Sequence, residues 1–302
     1  LLERTVGIAA QRVLPPYTRQ RFSTWFRRRR PALGRERQGG ATVFPTCLVE
    51  YQDAGVGHDL VKVYERNGIE CSLPDGLVCC GAPHLHRGDV DQFRRNAERN
   101  LGILAGALRE AEARGDEAVV VVPEPTCSYV LKFDYPDYVG GPDAEYVAER
   151  TRDAAEHLVE FRKRDDTSFD EDFTGEVPEA ITYHAPCHLR AQNIGLKSRD
   201  LLKLTGARVS VVAECSGIDG TWGLRAENLE SARKVAAKMA AAIDKAGNDT
   251  VAGDCSLANG AIVLETGRVP RHPLQILARA YGIPEEPGVP RLQPPADTDA
   301  DD

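Results

Sequence analysis

The sequence contains no stretch approaching the roughly 18 consecutive apolar residues of a membrane span. Its longest apolar run, "AVVVVP" at 118–123, has the length of a buried strand. It also has no secretory-signal pattern of charged start, apolar centre and small-residue cleavage site, which points to an intracellular protein. No methionine opens the chain, which starts Leu1-Leu2-Glu3, so a fragment or a processed product is expected. No Walker sequence occurs, and Gly55-Val56-Gly57 lacks the rest of a dinucleotide fingerprint. Substrate-oxidising chemistry with a flavin or nicotinamide is therefore assigned to another subunit. The triplet Asn248-Asp249-Thr250 fits glycosylation by chance alone in an intracellular protein.

What remains is an ordinary globular composition: 302 residues, 42% apolar and 28% charged, enough for one large or two modest domains with a substantial core. The charge is uneven. Residues 1–40 hold ten arginines against Glu3 and Glu36, a balance of +8, so a total of −8 leaves −16 for the rest. Phe22, Trp25 and Phe26 stand at helical spacing beside the arginine run. Such a helix suits a membrane surface, an acidic protein or nucleic acid, but packing on its own acidic chain or on a partner subunit is the plainer expectation.

Eight cysteines occur, at 47, 71, 79, 80, 127, 187, 215 and 255. A chain this long needs no disulfide staples, and the adjacent Cys79 and Cys80 cannot easily bond to each other, because a disulfide requires a Cα separation that one peptide unit strains. Cysteines grouped with Gly, Pro and His point to metal instead.

The cysteines also reveal a repeat. "TVFPTCLVEY" at 42–51 parallels "TYHAPCHLRA" at 182–191, and "GLVCCGAP" at 76–83 parallels "VAECSGID" at 212–219, so Cys79 matches Cys215, Cys80 matches Ser216 and Gly81 matches Gly217. A third pair ends at Cys127 and Cys255. Helical patterns at 58–67 and 197–205 end in Gly68 and Gly206, and longer ones run over 89–114 and 226–247. Strands alternating with helices predict an α/β fold with mostly parallel sheets flanked by helices. Each paired cysteine follows a strand candidate, so three separated positions per half would meet outside the carboxyl ends of the strands, where ligands collect in such sheets. The expected organisation is a basic helical extension or linker at 1–40, a first domain at 41–140, an acidic linker with a helix at 141–178, a second domain at 179–284 and a disordered acidic tail at 285–302.

In the first half Cys47, Cys79, Cys80 and Cys127 form a complement of four thiolates, suited to a 4Fe-4S cluster or to tetrahedral zinc. The spacing disfavours zinc, whose ligands come in pairs two to four residues apart, and a multi-iron cluster accepts adjacent cysteines on different irons. Buried inert thiols are the third reading.

The pattern Cys47, thirty-one residues, Cys79-Cys80-Gly81, then "PTC" at Cys127 resembles the CCG, or cysteine-rich, domain of heterodisulfide reductase B subunits, anaerobic glycerol-3-phosphate dehydrogenase C subunits and lactate and glycolate oxidase iron-sulfur subunits. The resemblance covers about residues 42–282 and includes "EPTCSYVLKFDYP", "HAPCHL", "ECSGIDGTWG", "DCSLANGAI" and "RHPLQILARAYG". It implies two pseudo-symmetric tandem CCG domains and electron transfer through iron-sulfur clusters. It assigns Cys47, Cys79, Cys80 and Cys127 to the first cluster, although Glu124 stands where the first cysteine of a final Cys-x-x-Cys would be. Because noncubane double clusters use more cysteines per half, a normal cluster is expected. In the second half Cys187, Cys215 and Cys255 remain, while Ser216 and Ala258 replace the other two cysteines. Three thiolates suit a 3Fe-4S cluster, a 4Fe-4S cluster with an open iron, or a single metal. His188, His184 and Asp219 are candidate further ligands, and a structural relic is the alternative.

Cys71, outside the repeat, reads as a buried thiol; His84 and His86 either tune the first cluster or are exposed loop residues. His272-Pro273 begins the last helix. The leading expectation is an electron-transfer subunit that relays electrons between a flavoprotein dehydrogenase, ferredoxin-like protein or membrane carrier and an acceptor. It is placed in the cytoplasm or at the cytoplasmic membrane face, touching the membrane only through a partner or the basic segment, with no nucleic acid. Two alternatives stay open: a catalytic reductase with an open iron in the second half, and a zinc-stabilised scaffold.

Overall fold

Parallel strands need a long crossover between them, usually helical, and the alternating pattern supplies one at each step. The computed structural model describes residues 2–294, so Leu1 and residues 295–302, the last part of the 285–302 tail expected to be disordered, lie outside the described residues. Strands β1 (Gly39–Val43), β2 (Ile69–Ser72), β3 (Val120–Val122) and β4 (Thr151–Asp153) form one sheet in the order β2-β1-β3-β4. Strands β5 (Ala180–His184), β6 (Arg208–Val212) and β7 (Thr250–Gly253) form a second in the order β6-β5-β7. Every pairing is parallel. The protein therefore has the α/β architecture of two parallel sheets flanked by helices.

Local chemistry explains the helices. Val90–Ala113 is capped by Asp89, whose carboxylate accepts the Gln92 N–H (3.3 Å), and it buries Phe93, Ala97, Leu101, Leu104 and Leu108 at three- and four-residue steps. Leu229–Ala246 ends at Gly247, whose φ of 68° suits the left-handed C-terminal turn. The structure departs from the sequence reading between the repeats. Residues assigned to a surface connection with one helical piece instead hold Pro142–Arg150, the edge strand β4 and Ala154–Lys163. Three residues are too few to show alternation. The capping box in which Asp153 and Glu156 exchange hydrogen bonds marks the second of these helices.

The two halves share one core. Leu274 and Leu277 on the last helix, Pro273–Ala280, pack with Val61 and Tyr64 on Ala54–Arg66 and with Leu158 and Phe161 on Ala154–Lys163. The basic N-terminal segment lies on this body. Ile8 bridges antiparallel to Arg225, the Gly260 Cα approaches the Val13 carbonyl, and the Phe22–Arg28 helix buries Phe22 and Phe26 against the first half. Among the described residues no helix is long and apolar enough to cross a membrane.

The glycines after the cysteine pairs are sterically required. Gly81 has φ 96°, and a Cβ there would meet the Phe93 ring at 2.6 Å; Gly217 has φ 70°, and a Cβ would overlap the backbone carbonyl of Ala232. A left-handed alanine combined with overpacking costs about 2–4 kcal/mol. We expect Gly217→Ala to lower the unfolding free energy by that amount in urea titrations, and a midpoint equal to wild type would contradict the packing described.

His58 is 4% exposed, its ring lies 4.1 Å from that of Trp25, and neither ring nitrogen has a hydrogen-bond partner among the described residues. Burial pushes its imidazole down to about 4, with Glu286 opposing and Lys62 assisting. Between pH 6.5 and 4 the unfolded chain takes up a proton that the folded chain refuses. The stabilisation is complete above the unfolded value and disappears as pH falls through the folded one, on the order of 3 kcal/mol. His58→Phe should therefore lose less stability than wild type over that interval; parallel acid limbs in the two unfolding curves would contradict this.

Candidate metal centre

The cysteines sit where each strand hands over to the next element. Cys47 opens the helix Cys47–Tyr51 after β1, Cys127 lies in Pro125–Tyr129 after β3, Cys187 opens Cys187–Ala191 after β5, and Cys255 caps Ser256–Thr266 after β7. Cys79 and Cys80 follow β2, and Cys215 follows β6, in loops. Because parallel strands end on the same side, these positions converge. Cys47, Cys79, Cys80 and Cys127 line one cavity of about 500 Å³, and Cys187, Cys215 and Cys255 line the same cavity from the other half. The two sets thus face one shared space at the seam, a convergence that reasoning half by half does not reveal.

Within the first set, the sulfurs of Cys47 and Cys79 are 3.9 Å apart and those of Cys80 and Cys127 are 3.2 Å apart. All eight cysteines are free thiols. Sulfur–sulfur contact and burial push the Cys47 and Cys80 thiols up, so burial and mutual repulsion oppose ionising the set together. Burial pushes Cys255 up to about 12. Cys71 sits in β2, buried in the core away from the cavity.

Polar side chains that motif reading missed hold the Cys79-Cys80 loop. Asn100, fully buried, donates to the Val78 carbonyl (3.1 Å) and accepts the Val78 N–H (2.9 Å). Asn96 donates to the Cys79 carbonyl (3.2 Å), and Tyr135 donates to the Cys80 carbonyl (3.0 Å). The only advance signal was two asparagines four residues apart on a helix after the pair. Thr46, with φ 60°, caps the Cys47 helix by accepting the Val49 N–H.

The remaining candidates divide. His188 lines the cavity, with its Nδ1 3.1 Å from the Thr126 hydroxyl and its ring 6.0 Å from and nearly parallel to His86, which also lines it. Burial lowers the pKa of both imidazoles, keeping them neutral. Asp219 lines the cavity in a left-handed conformation, φ 43°. His184 is not among the lining residues: its ring is buried, and Nε2 donates to the Glu214 carbonyl (3.0 Å). His84 pairs with Asp89 away from the cavity (3.3 Å). Glu124, in the place of a cysteine, is buried in the cavity wall and accepts from the Ser256 hydroxyl and N–H, tying the first half to the start of the Cys255 helix. Burial raises its carboxyl to about 8. His272 makes a second tie: its Nε2 donates to the Pro123 carbonyl (3.0 Å) while Nδ1 accepts the Leu274 N–H (3.1 Å).

The donor set fits a multi-iron cluster. Thiols from separate segments are gathered in an apolar cavity with no disulfide among them, and sulfur ligation is what such clusters require. Among the described residues, no three Cys, His, Asp or Glu side chains close on a point as a single metal ion would need.

Comparison with known proteins agrees with this geometry. Residues 41–132 and 181–258 match the cysteine-rich domain family CCG. The chain is 28% identical over 286 residues to the C subunit of the anaerobic glycerol-3-phosphate dehydrogenase of Escherichia coli (strain K12), covering 93% of this chain and 68% of that protein. It is 30% identical over 223 residues to the B subunit of the fumarate reductase (CoM/CoB) of Methanothermobacter marburgensis, covering 70% of this chain and 39% of that one. It is 25% identical over 240 residues to a lactate utilization protein A of Bacillus thuringiensis (strain Al Hakam), covering 76% and 91%. With two family matches that each contain one set of converging cysteines, the chain belongs to the cysteine-rich CCG domain family.

Proposed function

We propose that the chain is an iron-sulfur electron-transfer subunit of an oxidoreductase complex, similar to heterodisulfide reductase, relaying electrons between a dehydrogenase or reductase partner and an acceptor. The observation that carries this reading is the meeting of seven cysteines, from six separate segments of the chain, around one apolar cavity. The relatives' names support it, since two of them are subunits, one of a dehydrogenase and one of a reductase. Work at the cytoplasmic face of a membrane through such a partner is part of the proposal.

Cys47, Cys79, Cys80 and Cys127 would hold a 4Fe-4S cluster. Cys187, Cys215 and Cys255 would hold a second centre, a 3Fe-4S or 4Fe-4S cluster rather than a single metal, for which no three side chains among the described residues converge, with His188 the better placed of the two histidines because it lines the cavity and His184 does not. When bound, a cluster supplies reversible one-electron storage. The chain's own residues do the rest: the apolar wall excludes water, and Asn96, Asn100 and Tyr135 hold the carbonyls of Val78, Cys79 and Cys80, fixing the direction of the two thiols. The exclusion of water by this wall would bear on the potential of a bound cluster, which depends on solvent exposure. A second reading, a catalytic reductase with an open iron, is favoured by Ser216, which lines the cavity beside Cys215 where the first half has a cysteine.

Anaerobic purification tests both assignments. Cys79→Ser should lose most of the first cluster's iron and acid-labile sulfide, whereas Cys71→Ser, in the core of β2, should keep them; equal iron in both variants would reject the first-site assignment. Cys215→Ser should remove one electron paramagnetic resonance signal and leave that of the first cluster, and a spectrum identical to wild type would reject a separate second centre.

A further inference from the structure

The sulfur cavity has a second side. A cleft of about 280 Å³ is also lined by Cys47 and Cys79, so these two residues form a wall shared between the cavity and the outside. The cleft's outer rim includes Ser23 and Arg27 of the Phe22–Arg28 helix and Tyr51 of the Cys47–Tyr51 helix. Glu50 clamps the two helices together, accepting from the Ser23 N–H (2.9 Å) and hydroxyl (2.7 Å). The arginine helix is thus fixed at a cleft that reaches two first-site thiols from outside the cavity.

Its charges are free to meet a partner. Arg19, Arg21, Arg27, Arg28 and Arg30 are exposed. Arg27 pairs with the exposed Asp75, and Arg21 lies 5.1 Å over the Tyr51 ring, but Arg19, Arg21, Arg28 and Arg30 make no ion pair with another described residue. Arg29 alone turns inward, to the buried Glu65 (2.6 Å). The positive patch stands out on a chain whose remaining residues sum to −16. A bilayer is a poor fit because the helix has no apolar face left to insert: Phe22 and Phe26 are buried and Trp25 packs on His58. Among the described residues Arg27 is the one arginine that lines the cleft, beside Glu50, and the exposed arginines of the same segment flank it; a fixed run of positive charge next to a redox site steers and orients an anionic protein surface.

Resting on the iron-sulfur reading above, we propose that this cleft together with the exposed arginines of the adjoining segment is the docking surface for an acidic one-electron carrier protein. The carrier is oxidised by one electron as the first cluster is reduced by one, or the reverse, with no bond made or broken. The cavity's own lining includes the apolar Trp222, Leu224 and Val235 and, among the described residues, no arginine or lysine, so it does not share this preference.

The test uses the full chain loaded anaerobically with cluster, compared with Arg21→Gln/Arg27→Gln/Arg28→Gln/Arg30→Gln. Iron and sulfide analysis comes first: a wild-type protein that binds no cluster overturns the iron-sulfur reading itself, separately from the docking surface. With cluster present in both, stopped-flow oxidation by hexacyanoferrate(III), an anion, should be about tenfold slower in the variant at low salt, while tris(ethylenediamine)cobalt(III), a cation, should be no slower. The difference should close at high salt. Arg208→Gln, exposed at the far end of β6, should match wild type. Unchanged rates with both oxidants in the quadruple variant would overturn the proposal. Retention of wild type but not the variant on immobilised plant-type ferredoxin, an acidic carrier, would support it. Sedimentation of wild type, and not the variant, with vesicles of anionic phospholipid, without ferredoxin binding, would overturn it in favour of a membrane surface.

Discussion

Thiols held close to one another repel as soon as they ionise, and the rest of this structure is organised around bringing seven of them, from the buried Cys80 and Cys127 to the exposed Cys187, to one cavity. Parallel strands make that placement possible, because the ends of β1, β2 and β3 lie on one side of the first sheet and those of β5, β6 and β7 on one side of the second. Short helices then start at or near the cysteines, as at Cys47 and Cys187. Where a cysteine is followed by a tight turn, glycine is required: Gly81 and Gly217 both adopt left-handed backbone and both press against a neighbouring element.

Holding sulfurs from two halves around one cavity demands that the halves not shift. Three kinds of contact meet that demand. The last helix inserts Leu274 and Leu277 into the core of the first half. Glu124 and His272 cross the seam to the Cys255 helix and to Pro123, and Gln192 donates to the Ser128 hydroxyl (2.8 Å). The N-terminal segment, from Ile8 at Arg225 to Phe22 in the first core, straps both halves from outside. Glu124 is one of these ties: its buried side chain accepts from the Ser256 hydroxyl and N–H, joining the Pro125–Tyr129 region to the Cys255 helix.

The parallel α/β architecture was legible because the cysteines mark it. Each follows an apolar run, and the six matched positions recur in order, so strand ends, crossovers and repeat could be read together. The strand β4 was not legible, since Thr151–Asp153 is too short to show a period and is identified only by its neighbour β3. Nor were Asn100 and Tyr135, whose roles depend on backbone carbonyls that no sequence pattern displays. His184 and His188 look equivalent flanking Cys187, but a strand alternates its side chains and a helix does not. His184 ends β5 with its ring on the Glu214 carbonyl, while His188 lies one residue into a helix and faces the cavity. The shared cavity was hidden for a related reason, because sequence similarity between halves says nothing about how the two copies are docked.

Iron-edge anomalous diffraction from anaerobically grown crystals tests the central claim most directly. The account predicts clustered iron peaks within bonding distance of the sulfurs of Cys47, Cys79, Cys80 and Cys127, inside the cavity that the second half closes. A zinc-edge signal in their place, or thiols of this set lying apart with no metal between them, would contradict it.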